Sequence, residues 1–233
     1  MNVVILAREG SSRYPGKHLH TIGGETLIAG IVRRIHEAGG RPVLCTGAYD
    51  DNRHIALATV GAGGDFYCEE IAPEWDLPSR MIGMARQLGI GYWLNYSGDC
   101  PFVDTSQFKP LWDRLVEGDV DRVGFETPYC AIGDMSVSAV SLRYWLKMHT
   151  YFSLDDQRRE QPWVHFPAKD VVEATIPGRD RTATPVKTSI DWPLEGALAD
   201  VIVRHLGRWP ETDEEVLEAY RSIRALAVVD GEK

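Results

Sequence analysis

Between Arg8 and Lys17 the chain sets three cations, Arg8, Arg13 and Lys17, among Gly10, Ser11, Ser12, Pro15 and Gly16, with Glu9 as the lone acid. Small residues leave backbone N–H groups accessible, and cations beside them suit a polyphosphate. A solvated basic turn is the plain alternative. Further along, Asp99 follows Tyr96-Ser97-Gly98. A carboxylate at a strand's carboxyl end can hold Mg2+, which prefers oxygen ligands, keeps several waters and bridges substrate phosphates. It can equally cap the next turn. Asp191, just ahead of Trp192-Pro193, reads on its own as a helix N-cap with proline in the first turn. Two common phosphate motifs are absent. Five residues, not four, separate Gly10 from Gly16, and His18 follows Lys17 where a P-loop has Ser or Thr. No Gly-x-Gly-x-x-Gly follows the first apolar run.

The elements that must position these groups are legible as alternating strands and helices. Val3-Val4-Ile5-Leu6 is an unbroken aliphatic run of the kind a buried parallel strand shows. Leu27, Ile28, Ile31, Val32 and Ile35 recur at helical spacing up to Gly39-Gly40. Strands are expected over 42–46, 65–68, 92–97 and 120–125, and helices over 52–60, 77–88 and about 108–116. That alternation implies parallel βαβ units, in which ligands bind beyond the strands' carboxyl ends. From about 126 to 188 the rhythm is lost, with short strands expected at 136–140 and 171–176 and a helix at 142–149. This stretch is expected to be an excursion from one domain spanning 1–233. A strand at 186–190 and helices at about 194–206 and 213–225 close the chain.

The 233 residues carry 34 acidic and 25 basic side chains, a formal charge of −9. A small positive spot on an acidic body fits a small anionic ligand and not extended nucleic-acid binding, which needs a broad basic face. Cys45, Cys68, Cys100 and Cys130 form no Cys-x-x-Cys pair, so neither a zinc site nor a redox motif is indicated. No apolar run approaches the ~18 residues of a membrane span. An apolar strand begins directly after Met1, so no signal peptide and a cytoplasmic location are expected.

The pattern Ala7-Arg8-x-Gly10-Ser11-x-Arg13-x-Pro15-Gly16-Lys17 resembles the opening signature of the cytidylyltransferases that make CMP-activated sugar acids. These are the CMP-3-deoxy-manno-octulosonate and CMP-sialic acid synthetases, with the spore-coat polysaccharide branch nearest in wording. The resemblance implies a Rossmann-like nucleotidyltransferase fold, related to that of the GT-A glycosyltransferases. This is a three-layer α/β/α sandwich with a mostly parallel central sheet and an inserted acceptor-binding and dimerisation excursion. It further implies transfer of CMP from CTP to an anionic acceptor, with Mg2+ and release of pyrophosphate. Ala7, Arg8, Gly10, Ser11, Arg13 and Lys17 would hold the nucleotide, Arg8, Arg13 and Lys17 acting in catalysis. Asp99 would be a metal ligand as well as a nucleotide contact. The segment from Ser189 to Glu195 resembles the family's late acidic motif, which makes Asp191 the second metal carboxylate; Leu194 departs from the pattern and Glu195 falls one place late. Leu77-Pro78-Ser79-Arg80 matches the family's Leu-x-Arg helix, so Arg80 is a candidate for the base or ribose, with a surface helix arginine as the alternative.

The acceptor region departs most from the family. Arg158, Arg159, Lys169, Arg179, Arg181 and Lys187 outnumber Glu160, Asp170, Glu173 and Asp180 between 157 and 187. Arginine grips carboxylates with two parallel hydrogen bonds. Tyr129, Gln157, Arg158, Arg159 and His165 are therefore the acceptor-binding candidates, with Trp163 beside them. Trp145, Tyr151, Phe152 and Trp163 are candidates for a homodimer contact or for core. Asp119-Val120-Asp121, a literal Asp-x-Asp, is expected at a solvent-exposed turn. Alternatives are a nucleotidyltransferase using another base or a phosphonate or phosphorylated acceptor, a glycosyltransferase on the related fold, and a nucleotide-binding protein without catalysis.

Overall fold

The computed structural model describes residues 1–125, 137–176 and 188–230. The chain opens with β1 (Asn2–Leu6), passes the basic loop, and makes a small hairpin of β2 (Thr21–Ile22) and β3 (Glu25–Thr26) before α1 (Leu27–Glu37). Then come β4 (Arg41–Thr46), α2 (Tyr49–Gly61), β5 (Asp65–Cys68), α3 (Leu77–Leu88), β6 (Tyr92–Ser97) and α4 (Phe108–Glu117). The second half holds β7 (Arg122–Phe125), β8 (Ser138–Ser141), α5 (Leu142–Tyr151), the single turn α6 (Pro162–His165), β9 (Glu173–Ile176), α7 (Pro193–Leu206) and α8 (Asp213–Asp230).

The main sheet runs β5-β4-β1-β6-β8-β7-β9. β1 lies between β4 and β6 and is parallel to both, while β8 alone runs against its neighbours. Strand alternation divides the core between two faces. Val3 and Ile5 face the layer that contains α1, α4, α7 and α8, and Val4 faces α3 and α5. Both faces of β1 are thus covered, as its aliphatic run requires. The result is a mostly parallel sheet between two helical layers.

β8 and β9 lie inside the stretch expected to leave the core. They instead complete its sheet: Ala139 and Val140 are fully buried, and β9 pairs with β7. The strand expected over 186–190 is absent at 188–190. There the Ile190 N–H donates to the Asp99 carbonyl at 2.8 Å instead of entering a ladder. Asp121 is a second correction. Its carboxylate is fully buried and accepts from Arg143 Nε, Lys147 Nζ and the Val172 N–H, pinning α5 to the β7–β9 edge, while Asp119 stays exposed. Two cations and an amide on one carboxylate offset its desolvation, and the pair is no metal motif. No helix among the described residues is long and apolar enough to cross a membrane.

Candidate active site

Chain order places the site. After β1 the chain turns to β4 on one side, and β6 later fills the other, so a crevice opens beyond the carboxyl ends of β1 and β6. Ala7 and Arg8 leave one strand, and Ser97, Gly98 and Asp99 leave the other. A Cβ at Gly98 would fall 2.9 Å from the Leu6 carbonyl oxygen and 2.7 Å from the Ala7 Cβ. Only glycine lets the two strand ends approach this closely.

The basic loop folds on itself. Ser11 and Gly16 N–H groups donate to the Glu9 carbonyl, and the Tyr14 N–H donates to Ser11 Oγ. Gly16, at φ 68°, turns the chain into a 3-10 turn at Lys17–Leu19, a conformation that disfavours a side chain. Among the described residues no bond is made by the amides of Gly10, Ser12 or Arg13. Behind the loop, the Glu9 carboxylate accepts from the His54 and Ile55 N–H groups, just after α2 breaks helical geometry at Asn52.

Lys17 is the buried centre of the cluster. Its Nζ lies 2.8 Å from Asp99 Oδ2 and 3.7 Å from Asp191 Oδ1, and Arg13 Nη2 is 2.7 Å from Asp191 Oδ1. Residues 99 and 191 are brought together by the bond from Ile190 to the Asp99 carbonyl. Glu195, out of step with the expected pattern, accepts from the Asp191 and Trp192 N–H groups and fixes the start of α7. Burial pushes the Asp99 carboxyl up. The Lys17 ammonium, a hydrogen bond from it and another from Ser97 outweigh that and hold the group below the usual carboxylate range.

The crevice is about 290 Å³ and is lined by Ala7, Arg8, Ser11, Arg13, Lys17, Arg80 and Asp99 among others. Arg80, carried by the first turn of α3, is 8% exposed, and its Nε and Nη1 have no hydrogen-bond partner. Buried guanidinium nitrogens left without a partner are costly unless a ligand completes them. Arg8 meets Glu74 and Glu160 at 3.2 and 3.3 Å and so links the loop before α3 to the turn before α6. Gly10 sits in the loop beside Glu74.

The acceptor candidates are scattered. Gln157, Arg158 and His165 are exposed and do not line the crevice, and Arg158 pairs with Asp156 and covers the Phe152 ring. Arg159 is a correction. It is fully buried and bonded to Asp76, so it cannot reach a solvent-borne acceptor. Tyr129, Arg179, Arg181 and Lys187 lie outside the described residues. Glu160, Gln161 and Trp163 do line the crevice, as do Glu74 and Trp75. No local pattern marks Glu74 or Trp75; only the folded chain brings them to the mouth. Of the dimer candidates, Trp145 and Phe152 are core, while Tyr151 and Trp163 are about half exposed.

His18 also lines the crevice. Burial, then the Lys17 charge, pushes its imidazole down to about 4. A histidine near 6.5 when unfolded and about 4 when folded takes up a proton on unfolding between those values. Its contribution is complete above about pH 6.5 and declines as the pH falls toward 4, by on the order of 3 kcal/mol. Urea midpoints measured from pH 7.5 to 4 should therefore fall less steeply in His18→Gln than in the parent. Parallel curves would contradict the assignment.

By sequence, the family described as Cytidylyltransferase matches residues 2–161. A 3-deoxy-manno-octulosonate cytidylyltransferase of Anaeromyxobacter sp. (strain K) is 48% identical over 131 residues, 55% of this chain and 52% of the relative. The chain spans about half the length of the curated relatives it matches. A cytidylyltransferase from Leptospira borgpetersenii serovar Hardjo-bovis (strain JB197) superposes with a TM-score of 0.78 at 16% identity, over 98% of this chain and 95% of that one. A CMP:2-keto-3-deoxy-manno-octonic acid synthetase complexed with CTP gives 0.60 at 15% identity, over 83% and 94%. At such identities these two structures speak for a common fold.

Proposed function

The chain belongs to the cytidylyltransferase family, and from that premise we infer that it transfers CMP from CTP to an anionic acceptor of the sugar-acid class, releasing pyrophosphate. One observation carries the reading: Lys17 touches Asp99 and Asp191 at the crevice that Arg80 also enters.

The residues divide the work by charge. Arg8, Arg13, Lys17 and the loop amides cradle the triphosphate. Arg80, with two unpartnered nitrogens, suits the carbonyl or hydroxyl oxygens of the base and ribose. The acceptor oxygen attacks the α-phosphorus in line while the loop steadies the departing pyrophosphate. Such transfers need positioning and charge stabilisation more than covalent help.

Asp99 and Asp191 fit a divalent cation, because both carboxylates already converge on a single ammonium. Two carboxylates are few for a closed protein cage, but Mg2+ characteristically takes one or two and completes its shell with water and phosphate. When bound, Mg2+ would neutralise charge on the phosphate oxygens. The acceptor approaches the wall of Glu160, Gln161 and Trp163, with Gln157, Arg158 and His165 exposed on the same segment.

The test is pyrophosphate release with Mg2+ and a panel of sugar acids, 3-deoxy-manno-octulosonate included, with CTP, UTP, ATP and GTP compared. Release with CTP and a sugar acid, well above the other nucleotides, is the expected outcome. A preference for another nucleotide, or release of a nucleoside diphosphate, would refute it.

A further inference from the structure

Arg159 has no exposed surface, yet it lies one residue from the crevice wall that begins at Glu160. All three of its guanidinium nitrogens are engaged. Nε donates to Asp76 Oδ1 at 2.8 Å, and Nη1 donates to the carbonyl oxygens of Phe152 at 3.0 Å and His149 at 3.2 Å. Nη2 reaches Ser79 Oγ at 3.0 Å and His149 Nδ1 at 2.6 Å. Asp76 caps α3 by accepting from the Ser79 N–H and Ser79 Oγ. The residue after Ser79 is Arg80, which lines the crevice and has two buried nitrogens without a partner. Arg159 therefore ties the first turn of α3 to the segment that supplies Glu160, Gln161 and Trp163.

We propose that Arg159 is the positioning residue for Arg80: through Asp76 and Ser79 it fixes the turn of α3 that presents Arg80 to the nucleotide. The proposal rests on the reading of this crevice as a CTP site. Its physical basis is that a planar fork with five donors can hold a carboxylate, a hydroxyl and two carbonyls at once, whereas a lysine ammonium cannot. Small displacements of a binding group cost large factors in rate or affinity.

The experiment uses Arg159→Lys, which keeps a charge opposite the buried Asp76, and Ser79→Ala, which loosens the same link without removing a charge. CTP affinity is measured by calorimetry, KM for CTP and kcat by pyrophosphate release, and folding by thermal denaturation. In Arg159→Lys, CTP affinity should fall about tenfold and KM rise in step, with kcat at saturation changed far less. Combined with Arg80→Ala, neither variant should weaken CTP further than Arg80→Ala alone, because the route to the ligand has already been removed. Unchanged CTP affinity with only a lowered melting temperature would make Arg159 a structural residue and overturn the proposal. Losses that multiply with those of Arg80→Ala would overturn it too. If Arg159→Lys does not fold, the Ser79→Ala cycle decides by the same two criteria. A parent protein that fails to bind CTP would overturn the crevice reading and this proposal together, an outcome distinct from the others.

Discussion

Asp99→Asn should lower the rate of pyrophosphate release by about a thousandfold or more. Asparagine keeps the size of the side chain and can still accept from Ser97, which donates to Asp99 at 2.6 Å. It removes the charge, and on the reading above charge is what a divalent cation requires here. Because Lys17 and Ser97 hold the Asp99 carboxyl below the usual range despite burial, the parent carries this anion throughout the neutral range. The loss should not be recovered by raising pH. Lys17 keeps Asp191 at 3.7 Å, so the variant should still fold, and a melting curve would verify that. A rate within threefold of the parent would remove Asp99 from the mechanism.

Lys17→Met should produce the second large effect, and it has a signature that activity alone cannot mimic. Turnover should fall by about a hundredfold or more, since a buried point charge leaves the phosphate site. The variant also leaves Asp99 and Asp191 beside each other without the ammonium both now touch. Arg13 still balances Asp191, but Asp99 loses its cation in a partly buried setting, which should cost roughly 2 kcal/mol of stability. A divalent cation binding to the folded state would restore it by mass action. Titrating Mg2+ without nucleotide should therefore raise the melting temperature of Lys17→Met more than that of the parent. An equal response would show that the two aspartates do not form a cation site.

Much of this architecture is written locally. The aliphatic run of β1 and the repeat of α1 need no distant partner to be read, and the helix expected over 77–88 is α3 (Leu77–Leu88). The loop from Ala7 to Lys17 is equally local, because its glycine, serine and cation spacing is contiguous. What escaped depends on contacts far apart in sequence. The short strand expected at 136–140 is present as β8 (Ser138–Ser141), but its antiparallel place beside β6, with Ala139 and Val140 buried, depends on partners far back in the chain. Arg159 reads as one more charge in a basic segment until Asp76, 83 residues earlier, is found against it. Asp121 looked like a surface turn because its cations, Arg143 and Lys147, follow more than twenty residues later. The approach of Asp191 to Asp99 likewise depends on one backbone bond across the sheet edge, which no periodicity announces.

The engagement of Glu9 with α2 bears on how strongly the loop attracts a polyanion. Counted along the sequence, one acid offsets one of three cations. In the fold, that carboxylate faces the amides of His54 and Ile55, where the positive end of a helical segment compensates it locally. Glu9 therefore detracts less from the loop's attraction than its place in the sequence implies, and the acids that a polyanion must contend with are those the fold sets against the cations: Glu74, Glu160, Asp99 and Asp191. Neutralising this one acid would unsettle the helix behind the loop before it strengthened the attraction in front.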